Sequence, residues 1–380
     1  MIKLFSPVFY VDECMEGIKE CLESGWTGLG RKTSEFEKKW GEYTGYEKSI
    51  FLNSATAGLE LAFQSLKELY GWRGGDEIIS SPITFVSTNH AIVSAGFKPI
   101  FADVNDTLCL DTQSVKDRIT SKTKAVIFVG IGGNTGDIIE IAKICKENNL
   151  KLILDAAHMS GTKIKGENLE KLVDISIYSF QSTKVLPTAD AGMVCCHDED
   201  LEKKIRTKAW VGMDKTRTPW SEKNTQRWYY DIVDFGGSYY GNDIMAAIAL
   251  AQFKHLESDI ELRHEIAANY KEKLMNCNKV KFIRVPENCY SAQWLFQIIV
   301  PKRDELMKFL ESKEIFAGLH YLNNTQYKQY SYAKNTCPNA DYYSKHIVSL
   351  PFHLRLTEKD IEIVAENIIR FCEDYISDNA

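Results

Sequence analysis

No stretch of about 18 consecutive apolar residues occurs in this 380-residue sequence, so no membrane-spanning helix is expected. The start, MIKLFSPVFY, has no basic region leading into a long apolar one, and no secretory signal is expected from it. There is no low-complexity tract and no internal repeat, which sets aside flexible linkers and solenoids. Lysine and arginine are scattered and the net charge is −6, so no nucleic-acid-binding stripe is expected. The ten cysteines form no CxxC pair and no regular spacing. Buried free thiols in a reducing cytoplasm are therefore expected, ahead of disulfides or zinc.

What is present is an ordinary globular composition on a chain longer than one domain usually runs. Apolar spacing predicts helices over 11–24 and 33–43, joined by the glycine-rich 25–30. From residue 49 short apolar strands alternate with helices as far as Asp155, which argues for a mainly parallel sheet covered on both faces. Residues 213–241 are irregular and rich in aromatics, including Trp220, Trp228, Tyr229 and Tyr230, and one long helix is expected from Asn242 towards Leu274. Shorter strands and helices follow. The expected fold class is α/β: a large first domain over 1–250, N-terminal segment included, with a mainly parallel mixed sheet flanked by helices, and a smaller α+β domain over 251–380.

The chemistry concentrates between Lys151 and Cys196. Asp155 ends one apolar run, His158 follows it, Ser179 ends the next run, and Lys184 lies in the irregular segment after that. The carboxyl edge of such a sheet is where ligands bind. An acid and an amine placed there suit pyridoxal 5′-phosphate, with Lys184 as Schiff-base amine and Asp155 as partner of the pyridine nitrogen. His158 could brace the ring on its oxygen side, or the Asp155 carboxylate. Taken singly, a strand-end Asp is more often a turn residue and a lone Lys a solvated charge. Ala55 and Thr56 open a helix directly after a strand, an anion site by geometry, although a plain N-cap explains the same residues. A rival lies at 130–136, GIGGNTG, which nearly matches a dinucleotide fingerprint but has Thr135 in place of the last glycine.

Six stretches in order resemble the DegT/DnrJ/StrS sugar-nucleotide aminotransferases, a family of fold-type I pyridoxal phosphate enzymes. They are residues 25–37, 53–59, 75–88, 155–158, 179–184 and the tail segments 317–321, 337–341 and 349–357. The resemblance covers nearly the whole chain. It implies that Lys184 carries the cofactor, Asp155 pairs with the ring nitrogen, His158 lies beside the ring and Phe85 stacks on it. It also implies that Thr56, Ser179 and the Ala55 amide hold the phosphate, joined across a homodimer by Ser238 or Asn242. His320 and Tyr321 would meet the sugar, with Trp26 and the 213–230 loop beside them and Arg217 or Arg227 on its diphosphate. The family carries His-Tyr-Ala-Gly near 130–133, a second His near Thr325, and Asn-Tyr-Arg near Ser238-Tyr239-Tyr240, and this chain departs from all three.

The implied function is amino transfer, with glutamate the donor and a nucleoside-diphosphate keto-deoxysugar the acceptor, for cell-surface polysaccharide such as lipopolysaccharide. A cytoplasmic homodimer with shared active sites is expected, with no metal, nucleic acid or membrane involved. The alternatives are a nicotinamide-dependent oxidoreductase using 130–136, and a cofactor-binding protein without turnover.

Overall fold

The structure, a computed structural model, describes residues 1–213 and 231–376. Trp220, Trp228, Tyr229, Tyr230, Arg217 and Arg227 lie outside the described residues.

Two amphipathic helices come first, α1 (Val11–Glu23) and α2 (Arg31–Thr44). A residue far along the chain closes the turn between them. Asp243 accepts from Thr33 N at 2.9 Å, Thr33 Oγ1 at 2.7 Å and Lys32 N at 3.2 Å. It supplies the N-terminal acceptor that Gly30 lacks. A Cβ on Gly30 would lie 2.7 Å from Asp243 Oδ2, so the approach requires glycine.

Strands and helices then alternate: β1 (Lys48–Leu52), α3 (Ala55–Leu69), β2 (Glu77–Ser80), α4 (Ser87–Ser94), β3 (Lys98–Phe101), α5 (Thr112–Asp117), β4 (Thr123–Val129), α6 (Ile138–Glu147) and β5 (Lys151–Asp155). The short β6 (Lys163–Ile164), β7 (Ile175–Ser179), β8 (Gly192–Cys196) and α7 (Glu199–Ala209) follow. Seven strands form one sheet in the order β1-β8-β7-β5-β4-β2-β3. It is mainly parallel, as expected: β8 alone runs against its neighbours β7 and β1. Successive side chains of a strand point to opposite faces, and each face here has its own core. Val126, Phe128, Leu152 and Leu154 enter one cluster, and Ala125, Ile127 and Ile153 the other.

Register decides where a site can form. Val129 pairs with Asp155 and Asp155 with Ile177, while Ser179, Gly192 and Leu52 lie side by side. One edge of the sheet therefore carries Asp155, Ser179 and the strand end from which α3 starts.

The second half begins with α8 (Asp243–Phe253) and α9 (Leu256–Leu274). Here the expectation of a single helix is corrected. The break falls at Lys254 and His255, where both side chains reach Glu13 at 2.7 Å and His255 stacks on Tyr10. Before the break α8 packs on α1 and α2; after it α9 packs on the last helix, so the axis must turn.

Strands β9 (Lys281–Phe282), β10 (Cys289–Tyr290) and β11 (Gln297–Ile299) follow, then helices α10 (Arg303–Ser312) and α11 (Pro338–His346), strand β12 (Ile347–Ser349) and α12 (Glu358–Tyr375). β12, β11 and β9 form a small antiparallel sheet, while β10 pairs with β6. A third core runs from Ile266 to Ile376. The first residues of the chain belong beside it: Ile2 pairs with Ile315, and Phe352 N donates to Leu4 O. Asp103, just past β3, accepts from Asn339 N and Ala340 N and so caps α11 on the edge of the large sheet.

Candidate active site

Asp155 is the last residue of β5 and is buried. Its Oδ2 accepts from Thr88 Oγ1 at 2.7 Å and its Oδ1 from Ala157 N at 3.2 Å. Burial pushes this carboxyl up, while the Thr88 hydroxyl, the Ala157 amide and the Lys184 charge oppose it. Thr84 continues the chain, with its hydroxyl 2.9 Å from that of Thr88. The two hydrogen bonds and the Lys184 charge each favour the ionised form against a burial that opposes it.

His158 does not brace Asp155, whose oxygens are taken by Thr88 and Ala157. Its Nδ1 accepts from Gly132 N at 3.3 Å and its Nε2 lies 3.3 Å from the Tyr321 hydroxyl. Burial, then the Lys184 and His320 charges, hold its pKa well below the usual histidine range. An imidazole that accepts at Nδ1 carries its proton on Nε2, so His158 is neutral and donates to Tyr321.

Lys184 sits in a turn after β7 that braces itself, Lys184 N donating to Gln181 O at 2.8 Å and Gln181 Oε1 taking both the amide and hydroxyl of Thr183. Its amine lies 3.7 Å from the centre of the Trp294 ring. Burial pulls its pKa down to about 7, against the pull of Asp155. Trp294 also stacks on His158 at 3.9 Å, donates to Thr183 O at 2.7 Å and stacks on Phe5. His320 meets Trp294 edge-on, hydrogen-bonds Ser349 at 2.9 Å and is pulled down to about 4, first by burial and then by Lys184. Phe85 is 56% exposed and its ring lies 6.0 Å from that of Tyr321.

The edge beside this group offers an anion site. Ser54 caps α3, its Oγ accepting from Ala57 N, and among the described residues no acceptor takes the Ala55 and Thr56 amides. Gly192 lets β8 pass beneath: a Cβ there would lie 2.5 Å from Ala55 N. Free amides at a helix start point at whatever negative charge sits there. Ser179 is the neighbouring strand end. In the same chain Asn53 N donates to Tyr239 O, which brings 238–240 alongside. Ser238 is exposed, whereas Asn242 caps α8 by accepting from Met245 N at 2.9 Å.

Trp26 is not gathered round Lys184. It is 60% exposed and its indole donates to Leu29 O of its own loop. The nicotinamide alternative is also overturned. Residues 130–136 form no open cradle: Gly132 O accepts from Trp294 N, Gly133 O accepts from Thr162 Oγ1, and a Cβ on Gly133 would meet Ser291 Oγ at 2.6 Å. These glycines let the segment carrying Trp294 dock, and Gly130 makes room for Met159.

Residues 10–369 match the DegT/DnrJ/EryC1/StrS aminotransferase family. The chain belongs to that family. The spore coat polysaccharide biosynthesis protein SpsC of Bacillus subtilis (strain 168) is 31% identical over 375 residues, 95% of each chain. The dTDP-4-dehydro-2,3,6-trideoxy-D-glucose 4-aminotransferase of Saccharopolyspora spinosa is 30% identical, over 99% of this chain and 98% of its own. The solved aminotransferase TlmJ from Streptoalloteichus hindustanus superposes with a TM-score of 0.91 at 27% identity, over 99% of this chain and all of its own.

The aminotransferase is a pyridoxal 5′-phosphate enzyme, and its side chains fit that cofactor. A buried carboxylate, an amine that loses its proton near neutrality and a helix start with free amides supply a partner for each of its three polar ends. Three contributors escaped the sequence reading. Thr88 lies within the recognised 75–88 stretch but carries no signal of its own. Phe5 and Trp294 reach the site only through tertiary packing.

Proposed function

We propose that this aminotransferase moves an amino group from glutamate to a nucleoside-diphosphate keto-deoxysugar, in the cytoplasm, for a cell-surface polysaccharide such as lipopolysaccharide. The observation that carries the reading is the Lys184 amine on the Trp294 ring, with Asp155 and neutral His158 acting on it and Tyr321 and then Phe85 beyond His158. Bound there, pyridoxal phosphate supplies a carbonyl carbon that amines can join and a ring that takes up electron density. Asp155 holds the ring nitrogen, Phe85 and His158 flank the ring, and Ala55, Thr56 and Ser179 hold the phosphate. Lys184 binds the cofactor and, when released by the donor, carries the proton between donor carbon and cofactor. The Saccharopolyspora relative, a 4-aminotransferase of a dTDP-linked sugar, supports the acceptor class.

His320 and Tyr321 stand at the same aromatic wall, and we assign them to the sugar side. Purified protein supplied with glutamate and nucleotide-linked 3-keto- or 4-keto-6-deoxysugars is expected to yield an aminosugar, seen by mass. If none is aminated while ordinary keto acids exchange quickly, the acceptor is a keto acid and the sugar assignment fails.

A homodimer with shared sites is the expected assembly. Val11, Met15 and Leu22 leave an exposed apolar stripe on α1, and Phe235, near Ser238, is 94% exposed. A stripe of this kind on one helix face supports a surface that a second copy covers. Co-expressing a Lys184→Ala chain with a Ser238→Asp chain should restore activity that neither has alone where Ser238 serves the partner's phosphate, and none where it serves the α3 start of its own chain, beside which it lies. A monomer in sedimentation, or no recovery in verified hybrids, would count against sharing.

A further inference from the structure

Trp294 is buried, and three separate contacts fix its indole at the lysine. The ring centre lies 3.7 Å from Lys184 Nζ, the ring N–H donates to Thr183 O at 2.7 Å, and the ring stacks on His158 at 3.9 Å. We infer that Trp294 is a positioning residue, holding the free amine of Lys184 on its π face and setting the pH at which that amine takes up a proton. The inference rests on Lys184 being the cofactor lysine.

The physical reason is a balance between burial and the groups that face the amine, of which His158 and His320 are held neutral by burial. Burial disfavours an ammonium. An aromatic quadrupole within about 6 Å favours it, and favours it more where water is excluded. Asp155 acts in the same direction as the indole. Without the π face the amine would lose its proton at lower pH, and only the Asp155 charge would hold it while detached from the cofactor. The indole N–H bond to Thr183, the residue before Lys184, ties ring and lysine backbone together, so the amine and its rest cannot drift apart. Trp294 follows β10 whereas Lys184 follows β7, so the protonation of the amine depends on how the second half of the chain meets the large sheet.

The test keeps the ring's shape and changes only its electrons. Mono-, di- and trifluorotryptophan are placed at position 294 of the full chain, freed of cofactor. The titration of Lys184 is then read by competitive acetylation across about pH 5 to 11, following the Lys184 peptide by mass. Each fluorine weakens the π face, and the midpoint should fall stepwise, by about half to one and a half pH units for the trifluoro ring. An unchanged midpoint across the series, with the fold intact by circular dichroism, overturns the inference. Failure of the cofactor assignment would look different. Borohydride would still trap cofactor on a Lys184→Ala chain, whatever the fluorinated series showed.

Discussion

Replacing Lys184 with alanine is expected to abolish turnover, together with the borohydride-trapped link between chain and cofactor. Both proposed roles vanish at once. Alanine has no amine to join the cofactor's carbonyl carbon, and no base remains to move the proton. The loss should reach about 10⁴-fold, the upper end of what one positioned acid–base group contributes. Arginine would not substitute, because its guanidinium stays charged and is no nucleophile. Unfolding can be separated from lost chemistry. The Lys184 pKa is depressed from 10.5 to about 7, so between those values the unfolded chain binds a proton that the folded chain does not. That difference favours unfolding, and removing the lysine removes it. The cofactor-free variant should therefore melt no lower than the parent at pH 7 to 8. A dead variant that melts normally and traps no cofactor supports the assignment; a trapped adduct on another residue would sink it.

The pair of Asp155 and Lys184 was legible in the sequence because each follows a short apolar run, and strand ends are local events. Ser54–Thr56 was legible for the same reason, as a strand leading directly into a helix. Trp294 was not. It lies 110 residues from Lys184, just ahead of a strand that itself spans only Gln297–Ile299, and its aromatic character reads as core. The near-match of 130–136 to a dinucleotide fingerprint has a related cause. Glycines that cradle a ligand and glycines that let another segment approach look alike in a sequence; only the docking of 289–295 distinguishes them. The break at His255 was hidden because every residue across it tolerates a helix, and the turn is imposed by Glu13 and Tyr10 from α1 and its entry.

Those long-range contacts change what the site is. The acid and amine belong to the large sheet. Trp294, His320 and Tyr321 come from the second half, and Phe5 comes from the segment before α1. Three separate stretches must converge before the amine is dry enough to lose its proton near neutrality. The hydrogen bonds of Asn324 to Thr84 O and Asn89 fasten the stretch after Tyr321 to the helix that carries Thr88. Thr88 in turn holds Asp155.

That chain of contacts frames the second large effect, Asp155→Asn. The amide has the carboxylate's shape, and its hydrogen bonds can be remade. The Ala157 amide still finds an oxygen, the new NH₂ faces Thr88, and the Thr88 hydroxyl can turn to donate to Thr84, 2.9 Å away. The cofactor should therefore still bind. What disappears is the negative charge proposed to face the ring nitrogen. An opposite charge at close range shifts a pKa by about 1–3 units. Each unit is about 1.4 kcal/mol, or tenfold in rate where the protonated ring is needed to take up electron density. Single-turnover reaction with glutamate, followed by the cofactor's visible absorbance, should slow by about 10- to 1000-fold. Cofactor affinity should change far less. A variant within a fewfold of the parent rate would mean that some other group keeps the ring nitrogen protonated. A variant that cannot retain cofactor would mean that the Asp155 charge holds the ring in place rather than tuning it. Loss of rate with binding retained is the outcome expected of a buried carboxylate whose two oxygens are already anchored by Thr88 and Ala157.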